Sequence, residues 1–233
     1  MKCKRVGIVG GVGPSATILY YQQISELGHK RMEGDHYPEI LIHSLDMGEV
    51  TDFFYRNDMD ALTEKLVRAV GGLHQGGCDM AIISCNAMHM VFDRVRQRVG
   101  IPMVSILDAV MMEVRKRHLR TVGIMGTIFI MQSDLYRAAI EKAGIACIEP
   151  GPEEQAWIMK AILEDLQRPS IPKTTIDRFA EDIQTLRKMG AEAVILACTD
   201  LPVAIRAENS PIPILDTTRI HVDATLDFAF AET

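Results

Sequence analysis

The stretches Met80-Ala-Ile-Ile-Ser-Cys-Asn-Ala-Met-His89 and Ala193-Val-Ile-Leu-Ala-Cys-Thr-Asp-Leu-Pro202 decide how this chain is read. Each opens as an apolar run with the length of a buried strand. Each breaks at a cysteine followed by a small polar residue, Cys85-Asn86 and Cys198-Thr199. In an open α/β sheet, ligands gather where strands end at their carboxyl edge. A cysteine at such an end faces a mouth rather than a sealed interior. Two of them, one in each half of the chain, point to one site served from both halves. Free cysteines are usually buried; Cys3, Cys78 and Cys147 lack this context and read as ordinary core residues.

The flanking sequence repeats. Gly77-Cys-Asp-Met-Ala-Ile-Ile-Ser-Cys-Asn86 is echoed by Gly190-Ala-Glu-Ala-Val-Ile-Leu-Ala-Cys-Thr199. Arg5-Val-Gly-Ile-Val-Gly10 is echoed by Thr121-Val-Gly-Ile-Met-Gly126, and Ile101-Pro-Met-Val104 by Ile212-Pro-Ile-Leu-Asp216. The three blocks recur in one order, at offsets of 116, 113 and 111 residues read from the numbering. This is an internal duplication of an α/β unit, not a solenoid. Strands alternating with helices imply parallel sheets. The expected architecture is α/β: two similar lobes with parallel sheets related by the duplication, and an active-site cleft between them. Residues 1–97 with 210–233 are expected to form one lobe and 98–209 the other.

Between the blocks, Gly11-Val-Gly-Pro-Ser-Ala-Thr17 is a turn into a helix, with Pro14 suited to the first helical position. Helical spacing continues from Ile18 to Met32, and Glu39 to Asp46 reads as a second strand. The polar, mixed segment Met47 to Asn57 is expected to be a loop or lid. A helix from Asp60 to Gln75 stops at Gly76-Gly77. Another follows Cys85 through Arg98. Pro150-Gly-Pro152 is a turn, and Gln167 to Pro172 a surface connection.

Composition narrows the class. At 233 residues and 48% hydrophobic, the chain has ample material for a core. A net charge of −6 argues against a general nucleic-acid binder, which carries a basic face. Five cysteines, an odd number without a C-x-x-C pair, fit a reducing compartment. No apolar run approaches a membrane span. The first residues faintly resemble a signal peptide, but the apolar part is short, broken by glycine and followed by Pro14, so it reads as a buried strand. The expected setting is the cytoplasm, with neither a nucleic acid nor a membrane as partner.

Paired cysteines suit one kind of chemistry. If a planar, carbanion-like carbon is bound between them, Cys85 and Cys198 can each serve one face, one removing a proton and the other delivering one. That requires one thiolate and one thiol, and a helix N-terminus or polar neighbours can lower a thiol pKa. Asn86, Thr127 and Thr199 sit where side chains and amides can hold a carboxylate, and Ser15 and Thr17 lie on the first glycine turn. The plainer alternative for each is helix capping.

Gly10-Gly-Val-Gly-Pro-Ser-Ala-Thr17, Cys85-Asn-Ala-Met-His89, Gly126-Thr127 and Cys198-Thr-Asp-Leu-Pro202 together resemble the aspartate/glutamate racemase family, and the similarity runs from Val6 to about His221. The resemblance implies cofactor-independent racemisation of a small-molecule amino acid, Cys85 and Cys198 as acid and base, no metal or pyridoxal phosphate, and a homodimer. It also implies substrate contacts at Asn86, Thr127 and Thr199. Departures bear on substrate. Ala87 stands where the family often has threonine, and Ile130 where a second threonine often follows Gly-Thr. The Pro-x-Arg-Thr pattern of aspartate-type members is missing around Gly48 to Asp52. A pocket of broad or non-acidic preference is therefore expected, with Lys160 and Arg56 as candidate side-chain contacts.

Rival readings remain at this stage. Gly11-Val-Gly-Pro-Ser-Ala16 fits a dinucleotide-binding turn, although Asp46 lies too far along to be its acidic partner. Cys85 and His89, four apart, with Cys198 and Asp200, offer ligands for a metal. A non-catalytic amino-acid sensor, or an isomerase or decarboxylase of another carboxylic acid, would keep the same framework.

Overall fold

The computed structural model describes residues 3–231. The chain divides into two compact units, one made of residues up to Ala109 with those from Thr218 onward, the other of Val110–Thr217.

The first unit runs β1 (Val6–Gly10), α1 (Pro14–His29), β2 (Ile40–Ser44), α2 (Met47–Tyr55), α3 (Met59–Gln75), β3 (Met80–Ile83), a 3₁₀ turn at Ala87–Val91, α4 (Phe92–Arg96) and the start of α5 (Ile106–Lys116). Its sheet is parallel, in the order β2-β1-β3. The pleat sends Val9, Ala81 and Ile83 to one face, against Leu62, Leu66, Val70 and Leu73 of α3. Those α3 positions recur every three or four residues, so one stripe of the helix is apolar. Val6, Ile8, Met80 and Ile82 face the other side, with Tyr20 and Ile24 of α1 and Val222 and Leu226 near the end of the chain. A parallel sheet covered on both faces explains why β1 and β3 read as unbroken apolar runs.

One segment differs from expectation. Met47 to Asn57 is mostly helix α2 rather than a loop or lid. Asp46 caps it, its Oδ1 accepting the Glu49 N–H at 3.0 Å, and Val50 and Phe53 turn into the core. Ile101 to Asp108 adds only a parallel bridge, Ala81 to Met103, before α5 begins.

The second unit runs β4 (Thr121–Gly126), α6 (Ile128–Met131), α7 (Leu135–Lys142), β5 (Ala146–Ile148), α8 (Pro152–Glu164), α9 (Lys173–Lys188), β6 (Ala193–Ala197), α10 (Leu201–Ala204) and β7 (Ile214–Asp216); α11 (Thr217–Phe230) then leads back to the first unit. Its parallel sheet has the order β5-β4-β6-β7. Val194 and Leu196 of β6 pack with Ile158 and Ile162 of α8 and Phe179 and Ile183 of α9.

The sequence repeat reappears in the hydrogen-bonded register. Val9 pairs with Ile83 in the first sheet, and the equivalent residues Met125 and Leu196 pair in the second. The bridge from Ala81 to Met103 maps in the same way onto the pair Val194 and Ile214. The boundary lies elsewhere than the sequence reading drew it. Residues 98–109 fall in the first unit, and 210–217 in the second rather than with the C-terminal segment, because β7 is the strand that pairs with β6.

Candidate active site

In the first unit the carboxyl ends of β1 and β3 are tied together by hydroxyls. The Ser84 N–H donates to the Val9 carbonyl at 3.0 Å, and Ser84 Oγ donates to the same oxygen at 3.2 Å. The Gly11 N–H donates to Thr17 Oγ1 at 2.8 Å, which lies 3.5 Å from Ser84 Oγ. Gly11 has φ +89°, and a Cβ there would meet the Leu45 carbonyl oxygen at 2.2 Å, so only glycine fits. Thr17, read from sequence as a candidate anion contact, is buried and braces this turn instead. A Gly11 amide committed to Thr17 is one fewer for a nucleotide phosphate, and Asp46 is committed to capping α2. Thr17→Val keeps the shape and removes the acceptor, leaving a buried N–H unpaired. We expect it to lower stability by about 1–3 kcal/mol, read as a lower urea midpoint with an unchanged slope. An unchanged midpoint would remove the brace from Thr17.

Cys85 follows this braced end, half-buried, and buried Asn86 comes next. Asn86 precedes the 3₁₀ turn, yet its side chain makes no capping bond. His89 is buried and both ring nitrogens are engaged. The Ile106 N–H donates to Nε2 at 3.1 Å, so in the neutral ring Nδ1 carries the proton and donates to the Cys85 carbonyl at 2.9 Å. The ring stacks on Phe92 at 4.9 Å and meets His221 edge-on at 5.8 Å. Nδ1 of His221 accepts from the Tyr20 hydroxyl at 2.9 Å, and Nε2 donates to the Val104 carbonyl at 3.0 Å. Burial first, and the neighbouring His221 second, push His89 down to about 3; burial pushes His221 down to about 4. A histidine so committed is not a metal ligand, and among the described residues no cluster of three His, Cys, Asp or Glu side chains is arranged to hold an ion.

In the second unit Gly126 pairs with Ala197, so Thr127 and Cys198 leave the sheet on neighbouring strands, and Thr199 follows. Cys198 is 8% exposed and belongs to the core cluster of this unit. Thr127 precedes α6 in extended conformation. Its carbonyl takes the Ile130 and Met131 N–H groups, but its side chain makes no capping bond. Capping therefore accounts for neither Asn86 nor Thr127. Ile130 is buried and Ala87 half-buried. Lys160 stands on the exposed face of α8 with its charge 4.0 Å from Glu164. Exposed pairs of this kind cost little to break. Arg56 ends α2, with its guanidinium 5.9 Å over the Phe53 ring.

The other thiols are held in the protonated form. Burial raises Cys3 and Cys78, and with Glu149 nearby pushes Cys147 up to about 11. Sequence reasoning missed the roles of Ser84, Tyr20 and His221. Ser84 was signalled as the one hydroxyl within an apolar strand end. His221, a lone polar ring in a C-terminal helix, carried no such signal.

Two parallel α/β units of equivalent register, each followed past its β3 or β6 strand by a cysteine, make this a duplicated α/β protein. Residues 9–225 match the family described as Asp/Glu/Hydantoin racemase, and the chain belongs to that family. It is an isomerase, an amino-acid racemase. The broad-specificity amino-acid racemase RacX of Bacillus subtilis is 23% identical over 226 residues, 95% of this chain and 96% of that protein. Among solved structures, a Yersinia pestis protein proposed to be an Asp/Glu racemase is 28% identical, with a TM-score of 0.91 over 98% of this chain and 100% of its own. An aspartate racemase homologue from Pyrococcus horikoshii is 30% identical, with a TM-score of 0.86 over 98% and 100% of the two chains. Among the described residues no helix is long and apolar enough to cross a membrane.

Proposed function

We propose that the chain racemises a range of amino acids without a cofactor, with Cys85 and Cys198 serving opposite faces of one Cα. One cysteine, as thiolate, takes the α-proton and becomes a thiol. The electron pair left on carbon is shared with the α-carboxylate. The other thiol delivers its proton to the far face and is left as the thiolate, ready for the reverse reaction. With no electron sink in the site, donors at Asn86, Thr127 and Thr199 hold the carboxylate as it gains charge. The observation that carries this assignment is the matched register: both cysteines leave their sheets from equivalent positions, as Val9 with Ile83 and Met125 with Leu196 require. The setting is a cytoplasmic homodimer, for which the family likeness is the support.

A broad range is supported by Ala87 and Ile130, which lack the hydroxyls common in the family, and by the breadth named for the Bacillus subtilis relative. Lys160 is assigned to the side-chain carboxylate of acidic substrates. The test is incorporation of deuterium at Cα in heavy water across a panel of D- and L-amino acids. Exchange is expected with neutral and acidic members alike. Lys160→Ala is expected to slow aspartate and glutamate about tenfold and leave alanine unchanged. Amino acids that bind without any exchange would sink the racemase reading for this site, and exchange confined to aspartate would sink the broad range.

A further inference from the structure

We infer that His89 is a positioning residue that fixes the Cys85–Asn86 peptide so that its N–H faces the reacting substrate. The inference rests on the assignment of Cys85 and Asn86 to the site. Its physical basis is the planar trans peptide, in which the C=O of one residue and the N–H of the next point in opposite directions. Nδ1 of His89 holds the Cys85 carbonyl at 2.9 Å. The Asn86 N–H is thereby directed to the side away from the imidazole.

The imidazole itself has little freedom. The Ile106 N–H fixes its tautomer by donating to Nε2 at 3.1 Å, and the Phe92 ring lies parallel to it, with an interplanar angle of 9°. Behind it, the Tyr20 hydroxyl, His221 and the Val104 carbonyl form a buried chain that ties α1 and α11 to the segment leading into Ile106. Every member of this chain is satisfied, which is the condition under which a buried polar network makes a rigid support. Cys85 lies two residues past Ile83, the last residue of β3, and its carbonyl meets His89 Nδ1. Loss of the His89 bond removes a restraint on this carbonyl, and any turn of the peptide carries both the amide donor and the dipole beside the thiol with it.

Two substitutions separate this role from core packing. His89→Asn places a carboxamide nitrogen at the level of Nδ1 and keeps the donor to the Cys85 carbonyl. His89→Gln moves the amide one bond outward, keeping an acceptor for the Ile106 N–H and losing the donor. Both are purified as the full chain and compared by thermal unfolding, by kcat and KM for the fastest substrate of the parent, and by the pH profile of Cys85 alkylation with iodoacetamide, read by peptide mass spectrometry. His89→Gln is expected to lose about 100-fold in kcat, the scale of one donor to a developing oxyanion. Its alkylation profile should move by about half a pH unit or more. His89→Asn should keep the parent profile and recover most of kcat. Equal losses in the two variants, or unfolding of both, would confine His89 to packing and overturn the inference. A profile that moves in His89→Gln alone, in a protein that racemises nothing, would uphold the positioning role while the racemase reading of the site fails.

Discussion

Replacing Cys85 or Cys198 by serine is expected to reduce racemisation by about 10³-fold or more in both directions, the scale of losing one positioned acid or base. A serine hydroxyl is a far weaker acid than a thiol and is essentially never ionised at neutral pH, so it cannot take the α-proton or return one. The two variants should not fail identically. Each retains one intact thiol on one face of Cα. Exchange of the α-hydrogen with solvent should survive for the enantiomer whose hydrogen points at that thiol and vanish for the other. Cys85→Ser and Cys198→Ser should therefore exchange opposite enantiomers in heavy water, with little net inversion in either. Both cysteines follow strand ends, Cys85 half-buried and Cys198 buried, and serine is close to cysteine in size. The serine variants should unfold near the parent temperature, which makes the activity loss a statement about chemistry. Variants that racemise like the parent would end the two-thiol mechanism. Variants that exchange the same enantiomer would end the assignment of one cysteine to each face.

What was legible in the sequence is what the backbone repeats. The strands Val6–Gly10, Val122–Gly126 of β4, Met80–Ile83 and Ala193–Ala197 are buried, so apolar and small residues dominate there and the echo survives. β5 was not seen because three residues at a sheet edge, exposed or half-exposed, leave no pattern. α2 was misread although its signal was present: Asp46 followed three residues later by Glu49 marks a helix start, and Val50 and Phe53 give the apolar face. The lobe boundary was drawn just ahead of the second copy of the Ile-Pro block, which put that block in the first lobe, although the repeat itself assigns it to the second sheet, where β7 lies.

The site divides along the same line. The placement of Cys85, Cys198, Asn86, Thr127 and Thr199 just past strand ends was legible because the strands were. Thr17 was not, since a threonine on a glycine turn can face a ligand or fold back onto the turn, and the choice depends on Ser84, far away in sequence. His89 was legible as a residue but not as a bond, because its partners Ile106 and Cys85 meet only in the folded unit.

The same buried histidines should make the protein acid-labile. In the unfolded chain both His89 and His221 titrate near the ordinary value of about 6.5. In the folded state burial holds them down to about 3 and about 4. Between these limits the unfolded chain binds more protons than the folded one, so stability is at its full value above about pH 6.5 and falls as the pH drops towards the folded values. Their partners are a phenol, two carbonyls, an amide N–H and each other's rings, none of which offers a negative charge to an imidazolium. Each histidine should remove roughly 2–3 kcal/mol by pH 4.5, a large share of the roughly 5–15 kcal/mol typical of a folded domain. Asp182 acts in the opposite sense. Burial pushes it up to about 6, so the folded state takes up its proton first and gains stability as the pH falls below that value. The parent curve alone therefore mixes the two, and the comparison with His221→Gln isolates the histidine. Glutamine does not titrate, and its amide can still meet the Val104 carbonyl. Urea midpoints measured from pH 7.5 to 4.5 should converge, the parent falling more steeply than His221→Gln below about pH 6.5. Curves that run parallel across this range would mean that His221 is protonated in the folded protein, and the neutral Tyr20–His221–Val104 chain would have to be redrawn.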